Sequence, residues 1–195
     1  MRKTLLVLAV MSLFISDAFA VVTTKIGGIM YQLNDDNTAF VVQGSYGGYS
    51  GDIVLPSTVD HLGVTYTVSR IEGSAFRRCT GLTSLTVPNT VTSIGENAFM
   101  YCTGLKSIDI PNSVASIGTY AFRDCTSLTS VNIPSALTTI AERTFYGCTG
   151  LTSVFIPNSV ISIGEQAFCD CTSLTSVIIP NSVTDIGKYA FSFCI

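Results

Sequence analysis

The sequence has no tryptophan, a single histidine and little charge. Lysine and arginine number 10 and aspartate and glutamate 13 among 195 residues, so charged residues make up 12%, about half the usual share. This shortage of positive charge excludes a nucleic-acid-binding protein, and one histidine argues against chemistry that needs several. Hydrophobic residues make up 47%, so the chain can fill a core beneath a surface made mainly of Ser, Thr, Asn and Gly.

The motifs that catalysis needs are missing as well. His61 lies at a predicted hairpin turn, and nothing near it resembles a nucleophile elbow. The glycines at 44, 47, 48 and 51 have no phosphate-binding pattern around them. The pair Cys169-x-Cys171 lacks the second cysteine pair of a zinc knuckle. We therefore expect no enzyme activity, no cofactor and no metal site.

The N-terminal segment, 1–20, has the pattern of a secretory signal peptide. Arg2 and Lys3 precede an apolar stretch, 5–15, and Ala18-Phe19-Ala20 forms a small-x-small cleavage site. The alternatives are a buried N-terminal helix or a membrane anchor, but the apolar stretch is shorter than the roughly 20 residues that span a bilayer. We predict cleavage after Ala20, no transmembrane segment, and a secreted or cell-surface location.

A single repeat period organises the rest of the chain. Phenylalanine recurs with a constant step of 23 in the numbering, at positions 76, 99, 122, 145, 168 and 191. Cysteine comes three positions later each time, at 79, 102, 125, 148, 171 and 194. Proline recurs at 88, 111, 134, 157 and 180. Leucine, isoleucine and valine keep the same register between them, so the chain is predicted to be an array of equivalent units.

Such units predict a repeat solenoid, because a unit this short holds too few apolar groups to fold alone and buries them only against neighbouring units. Within one unit, 83–87 alternates polar and apolar residues before Pro88, which predicts a half-buried strand that runs parallel to its neighbours. The stretch 91–94 predicts a second short strand, and 95–102 a helical or 3₁₀ turn.

The repeats resemble the BspA-like class of leucine-rich repeats, whose units look like LxxLxIPxxVxxIGxxAFxxC, over about residues 50–195. The resemblance implies a leucine-rich-repeat solenoid with parallel β-strands on one face, and with short strands and 3₁₀ or helical turns on the other. It also implies adhesion, since BspA-like proteins attach bacteria to host matrix proteins such as fibronectin and fibrinogen, or to other cells. The asparagine of the commoner leucine-rich pattern is replaced here, at Thr90 for example, so no asparagine ladder is expected.

Three regions follow from these patterns. Residues 1–20 are the signal peptide, 21–75 form an N-terminal β-hairpin cap with a first irregular repeat, and 76–195 hold the repeats, the last one incomplete. The cap hairpin comprises 29–33 and 38–43 around a polar turn. An insertion after Pro56, nine positions long, predicts a second, projecting hairpin.

Because the chain stops within a unit, we expect a fragment of a longer protein, the alternative being that a partner covers the end.

The seven cysteines of an exported protein would ordinarily suggest disulfides. Equivalent positions in adjacent units lie about 4.8 Å apart with parallel Cα–Cβ vectors, which fits the dihedral of a disulfide poorly. We therefore expect a column of reduced, buried thiols, with partial oxidation as the alternative. Cys169 lies outside the column, and we expect it to face solvent.

The candidate binding site is the outward side of the strands. If Leu85 and Val87 point inward, Ser84 and Thr86 point outward. The first outward column is all serine, whereas the second changes at every step, through Thr86, Asp109, Asn132, Phe155 and Ile178. A column that varies between copies is one that the fold leaves free.

We therefore predict that these five residues contact a protein ligand, with Phe155 beside Ile178 and with Ile161 extending this apolar patch. The alternative is that strand packing or further C-terminal units cover these side chains. The leading hypothesis is a non-catalytic, secreted or cell-surface protein-binding module, which the resemblance associates with adhesion to a host matrix or other cell-surface protein. The other hypothesis is an architectural spacer or the targeting domain of a larger exported protein.

Overall fold

The computed structural model describes residues 21–45 and 47–194, so the predicted signal peptide lies outside the described residues. Strands and turns build this part of the chain, and none of its residues is helical. The strands are β1 (Val22–Ile26), β2 (Ile29–Leu33), β3 (Thr38–Val41), β4 (Gly51–Val54), β5 (Thr58–His61), β6 (Val64–Ile71), β7 (Leu82–Thr86), β8 (Ser93–Ile94), β9 (Ser107–Asp109), β10 (Ser116–Ile117), β11 (Ser130–Asn132), β12 (Thr139–Ile140), β13 (Ser153–Phe155), β14 (Ser162–Ile163) and β15 (Asp185–Ile186).

Two parallel ladders run along the stack. The strand-face ladder consists of β4, β7, β9, β11 and β13, and its strand pairing is interrupted between β9 and β11. The second ladder consists of β6, β8, β10, β12, β14 and β15, and its strand pairing is interrupted between β10 and β12. Where strands pair, each residue of the repeats pairs with its equivalent one repeat later, as in Ser84 with Ser107 and Ile94 with Ile117. The predicted repeat solenoid with parallel strands is therefore confirmed.

The N-terminal cap is a β-hairpin, as predicted, with an additional strand. β2 and β3 pair antiparallel, and β1, which the pattern did not predict, pairs antiparallel with β2. β3 then pairs parallel with β6, so the cap continues the second ladder. The extra residues after Pro56 form the antiparallel hairpin of β5 and β6, in which His61 pairs with Val64 beside the turn.

The remaining side of each unit is a run of linked turns instead of a helix. In one unit Asn97 and Tyr101 adopt left-handed φ values of 56° and 64°, which interrupts any helical run. The N–H of Cys102 donates to the carbonyl of Phe99 within the unit at 3.0 Å, whereas the N–H of Phe99 donates to Ala121 in the next unit at 2.7 Å. Alternate N–H groups thus close turns or connect neighbouring units.

A stack of phenylalanine rings forms the centre of the core. The rings of Phe99 and Phe122 lie 5.0 Å apart at an angle of 6°, and the other neighbouring pairs are similarly stacked. Burial of each ring contributes about 1.5–3 kcal/mol before the entropy cost. Tyr49 ends the stack at the cap, with its ring 5.0 Å from that of Phe76.

Glycine recurs after the isoleucine of the second ladder because neighbouring units approach closely there. A Cβ atom on Gly118 would lie 2.6 Å from the backbone nitrogen of Glu96. The φ of Gly118 is not positive, so close approach, not a left-handed conformation, explains the residue. Ala141 occupies the same column, which shows that a neighbouring unit can shift enough to admit one methyl group.

The cysteine column is buried except for the half-buried Cys194, and all its members are free of disulfides in the structure. From Cys102 onward, each thiol of the column donates to a carbonyl one unit back: Cys102 Sγ to that of Phe76 at 3.0 Å, and Cys125 Sγ to that of Phe99 at 3.2 Å. The expectation for Cys169 was wrong, because its side chain is only 2% exposed. Cys169 lines a cavity together with Tyr189 and Phe193 of the following unit.

Candidate functional site

The strand-face ladder brings the five predicted contact residues into one exposed column. Each of the first four ends a strand, and the fifth follows by an isolated bridge; they are Thr86, Asp109, Asn132, Phe155 and Ile178. Thr86 pairs with Asp109, and Asn132 with Phe155. All five side chains are exposed, whereas the alternate residues Leu85 and Val87 are buried. The predicted alternation therefore places these residues on one outward surface, which we call the strand face.

The five predicted residues change from polar at Thr86, Asp109 and Asn132 to apolar at Phe155 and Ile178. Phe155 and Ile178 are bridge partners on adjacent units, with 70% and 84% of their surfaces exposed. An aromatic and a β-branched side chain therefore lie side by side in solvent, next to a column of serines. Ile161 is also exposed, but it immediately precedes β14 in the second ladder, so it does not belong to this column.

The pattern missed one member of the column, Val54. This residue ends β4, pairs with Thr86 and is 74% exposed. The separation between Val54 and Thr86 is one repeat period plus the length of the insertion after Pro56. The signal that could have found it is Pro56, since Val54 stands two positions before Pro56 as Thr86 stands two positions before Pro88.

Asp52 takes the place of the serine column in the first unit. It pairs with Ser84 across the ladder. Its Oδ1 accepts hydrogen bonds from the hydroxyls of Thr83 at 2.6 Å and Ser84 at 2.7 Å. These bonds favour the ionised carboxylate, so they hold the pKa of Asp52 below its usual value. The first unit therefore adds a fixed negative charge to a surface that is otherwise dominated by hydroxyl groups.

A second group that the pattern missed lies on the turn side, and we call it the arginine–tyrosine cluster. The guanidinium of Arg123 lies 5.1 Å from the ring centre of Tyr146, 5.7 Å from that of Tyr120 and 6.0 Å from that of Tyr101. Arg143 Nη1 donates to the Tyr120 hydroxyl at 2.6 Å. The residue types at the positions of the arginine–tyrosine cluster vary between units. That variation is the sequence signal from which the cluster could have been predicted.

These arrangements suit contact with a ligand surface. Over the described ranges, no three His, Cys, Asp or Glu side chains are grouped in a way that could hold a metal ion. Over the same ranges, no helix is long and apolar enough to cross a membrane.

The comparisons with known proteins agree with this architecture. The pattern of the BspA type leucine-rich repeat region matches residues 57–195 in six copies. A leucine-rich cell surface protein from Faecalibacterium prausnitzii is similar at 34% identity and a TM-score of 0.67, over 89% of this chain and 52% of that one. The T. pallidum leucine-rich repeat protein is similar at 30% identity and a TM-score of 0.70, over 82% and 78%.

A leucine-rich repeat protein from Bacteroides ovatus is similar at 25% identity and a TM-score of 0.59, over 92% of this chain and 50% of that one. The chain spans about half the length of the Faecalibacterium protein. Among curated protein sequences, none matches significantly. Since the repeat pattern covers well over half of its residues, the chain belongs to the BspA type leucine-rich repeat family.

Proposed function

We propose that the protein is a non-catalytic binding module, secreted or held at a cell surface, whose strand face contacts a protein ligand. The observation that carries the proposal is the bridged pair of Phe155 and Ile178, which lie exposed on adjacent units of the strand face. Leaving two large apolar side chains in water has no benefit for the stack itself. Aromatic residues are frequent among those that dominate the energy of protein interfaces.

The shape of the strand face also supports a protein ligand. The column runs from Val54 to Ile178 across successive units, and such a surface suits an extended contact better than the enclosed cavity that a small molecule requires. Polar residues, among them Asp109 and Asn132, precede the apolar pair along the column and can form part of the hydrogen-bonded rim of an interface.

The location and the adhesive role belong to the same proposal. The sequence of residues 1–20 has the features of a signal peptide, and the similar Faecalibacterium protein is a cell surface protein. The resemblance to BspA-like proteins implies attachment of bacteria to host matrix proteins or to other cells. We therefore propose that the ligand is a host extracellular-matrix or other cell-surface protein.

A solid-phase binding assay with immobilised fibronectin, fibrinogen and cell-surface extracts tests this function. The double variant Phe155→Ser and Ile178→Ser is expected to lose at least tenfold in affinity. Ile161→Ser is the matched control, because Ile161 is an exposed isoleucine next to the second ladder, and it is expected to leave binding unchanged. Equal binding by the double variant and the control would contradict a strand-face site, and no binding by any form would favour an architectural spacer.

A further inference from the structure

The cap covers one ladder of the solenoid and leaves the other with an open edge. β1, β2 and β3 extend the second ladder beyond β6. The strand-face ladder instead ends at β4, whose partner is β7 on one side alone within the described part of the chain. An unpaired strand edge presents a row of backbone donors and acceptors to whatever lies beside it.

The direction of the backbone groups on β4 follows from its pairing. The N–H of Leu55 donates to the carbonyl of Thr86 at 3.0 Å, on the β7 side. Because successive residues of a strand point their N–H and C=O groups to opposite sides, those of Ile53 also face β7. The backbone groups of Asp52 and Val54 therefore face the open edge.

A groove of about 660 Å³ runs beside this edge. One wall is formed by β4 and the other by the β1–β2 hairpin, including Lys25 and the turn Gly27-Gly28. The buried residues Tyr31 and Tyr49 also line the groove. The groove is therefore lined by both polar and apolar groups and is bounded on one side by free backbone hydrogen-bonding positions.

Tyr49 fixes the position of the hairpin wall. Its hydroxyl accepts a hydrogen bond from the N–H of Met30 at 3.0 Å and donates one to the carbonyl of Val42 at 3.3 Å. Its ring packs against Phe76 at 5.0 Å. The hairpin wall is thus anchored to the core of the solenoid, so the groove is a preformed feature.

We propose that this groove binds an extended peptide segment of a partner protein, which adds to β4 as a further strand of the strand-face ladder. An extended backbone is the occupant that satisfies the row of donors and acceptors on Asp52 and Val54, and alternate side chains of the peptide would enter the groove. The site adjoins the strand face directly, because Val54 belongs to both. A partner bound on the strand face could continue into the groove along the same ladder.

Hydrogen exchange measured by NMR tests the proposal with a synthetic peptide as the probe. The peptide has the sequence of residues 82–88, blocked at both ends. This sequence contains β7, which already pairs with β4 at the edge of β4 opposite the groove. At millimolar peptide, the amides of Asp52 and Val54 are expected to exchange at least tenfold more slowly, while exposed amides of the second ladder remain unchanged.

Two controls separate backbone pairing from side-chain contact. Val54→Pro removes the N–H that faces the edge without removing a bond to β7 and is expected to weaken binding at least tenfold, whereas Val54→Ala keeps the N–H and should stay within about threefold. The same peptide methylated on its backbone nitrogens should not bind, a result that does not depend on how well Val54→Pro folds.

Unchanged exchange at Asp52 and Val54, or equal binding of the methylated peptide, would overturn the proposal. Strong protection of both amides in the free protein would also overturn it, because another segment of the chain would then occupy the edge. The proposed strand-face function is independent of these outcomes, since it rests on Phe155 and Ile178.

Discussion

The thiol of Cys125 donates a hydrogen bond to the carbonyl oxygen of Phe99, one unit earlier, at 3.2 Å. The same relationship joins Cys102, Cys148, Cys171 and Cys194 to the phenylalanine of the preceding unit. This bond requires a proton on sulfur, which a disulfide lacks. The cysteine column is therefore a structural feature that couples successive units, and it accounts for cysteine at this position better than a redox role does.

We predict that the native protein resists thiol reagents. Six cysteines are buried and Cys194 is half-buried, and reagents attack the exposed thiolate. Labelling with iodoacetamide, read by peptide mass spectrometry, should modify Cys194 first and leave the others, including Cys169, largely unmodified. The control is the same reaction in urea, in which all seven cysteines should react. Rapid native labelling of Cys125 would contradict the buried column.

Stability should fall at alkaline pH. Burial raises the pKa of Cys102 and of Cys171 to about 12, whereas an unfolded thiol ionises near pH 8.5. Below that pH both states keep the proton and the contribution to stability is complete. Above it the unfolded chain releases a proton that the native state retains, so the free energy of unfolding falls by up to about 1.4 kcal/mol per pH unit for each thiol.

Urea denaturation with reductant between pH 8 and 10.5 measures this effect. The free energy of unfolding of Cys102→Ala should decline less steeply with pH than that of the unchanged protein, because one of the titrating thiols is gone. Tyrosine ionisation contributes equally to both proteins and cancels in the comparison. Identical slopes would show that Cys102 does not titrate differently in the two states.

The phenylalanine stack should dominate stability. Phe122 is fully buried between Phe99 and Phe145, and we expect Phe122→Ala to lower the free energy of unfolding by about 3–5 kcal/mol. Phe155→Ala changes the same residue type on the exposed strand face and should cost less than about 0.5 kcal/mol. Comparable losses from the two variants, measured by urea denaturation, would contradict the assigned inside and outside of the units.

The cap should depend on one hydroxyl group. Tyr49→Phe keeps the ring against Phe76 but removes the acceptor of the Met30 N–H. We expect a loss of about 1–2 kcal/mol in the free energy of unfolding, with faster amide exchange at Met30. Tyr66→Phe, in the β5–β6 hairpin, is the comparison and should change exchange at Met30 little.

The period predicted the repeated part of the fold because stacking imposes the same requirements on every unit. Leu85, Phe99 and Cys102 recur for packing, and their burial follows from the register alone. β1 was missed because the cap occurs once and offers no register. The helical or 3₁₀ turn became a run of linked turns because Asn97 and Tyr101 have left-handed φ values. Asparagine favours that conformation, but the equivalent Tyr120, Arg143 and Gln166 adopt it without such a preference.

The candidate site was predictable where it follows the repeat register, and it was missed where the register is interrupted. Strand alternation placed Thr86 through Ile178 on one outward column, and the bridge between Phe155 and Ile178 follows from the repeat register. Val54 was not predicted because the insertion after Pro56 makes its separation from Thr86 longer than one repeat period. The arginine–tyrosine cluster escaped because the outward direction of side chains in the turns, such as Arg123, depends on left-handed residues that no simple alternation describes.

Photo-crosslinking from the strand face tests the central claim most directly. p-Benzoylphenylalanine would replace Phe155 in one protein and Ile161 in another, and both would be irradiated on the surface of cells or on a matrix-protein layer. The account predicts a crosslinked protein from position 155 and none from position 161. Crosslinking from position 161 with none from position 155 would contradict it, because the ligand would then contact the second ladder instead of the strand face.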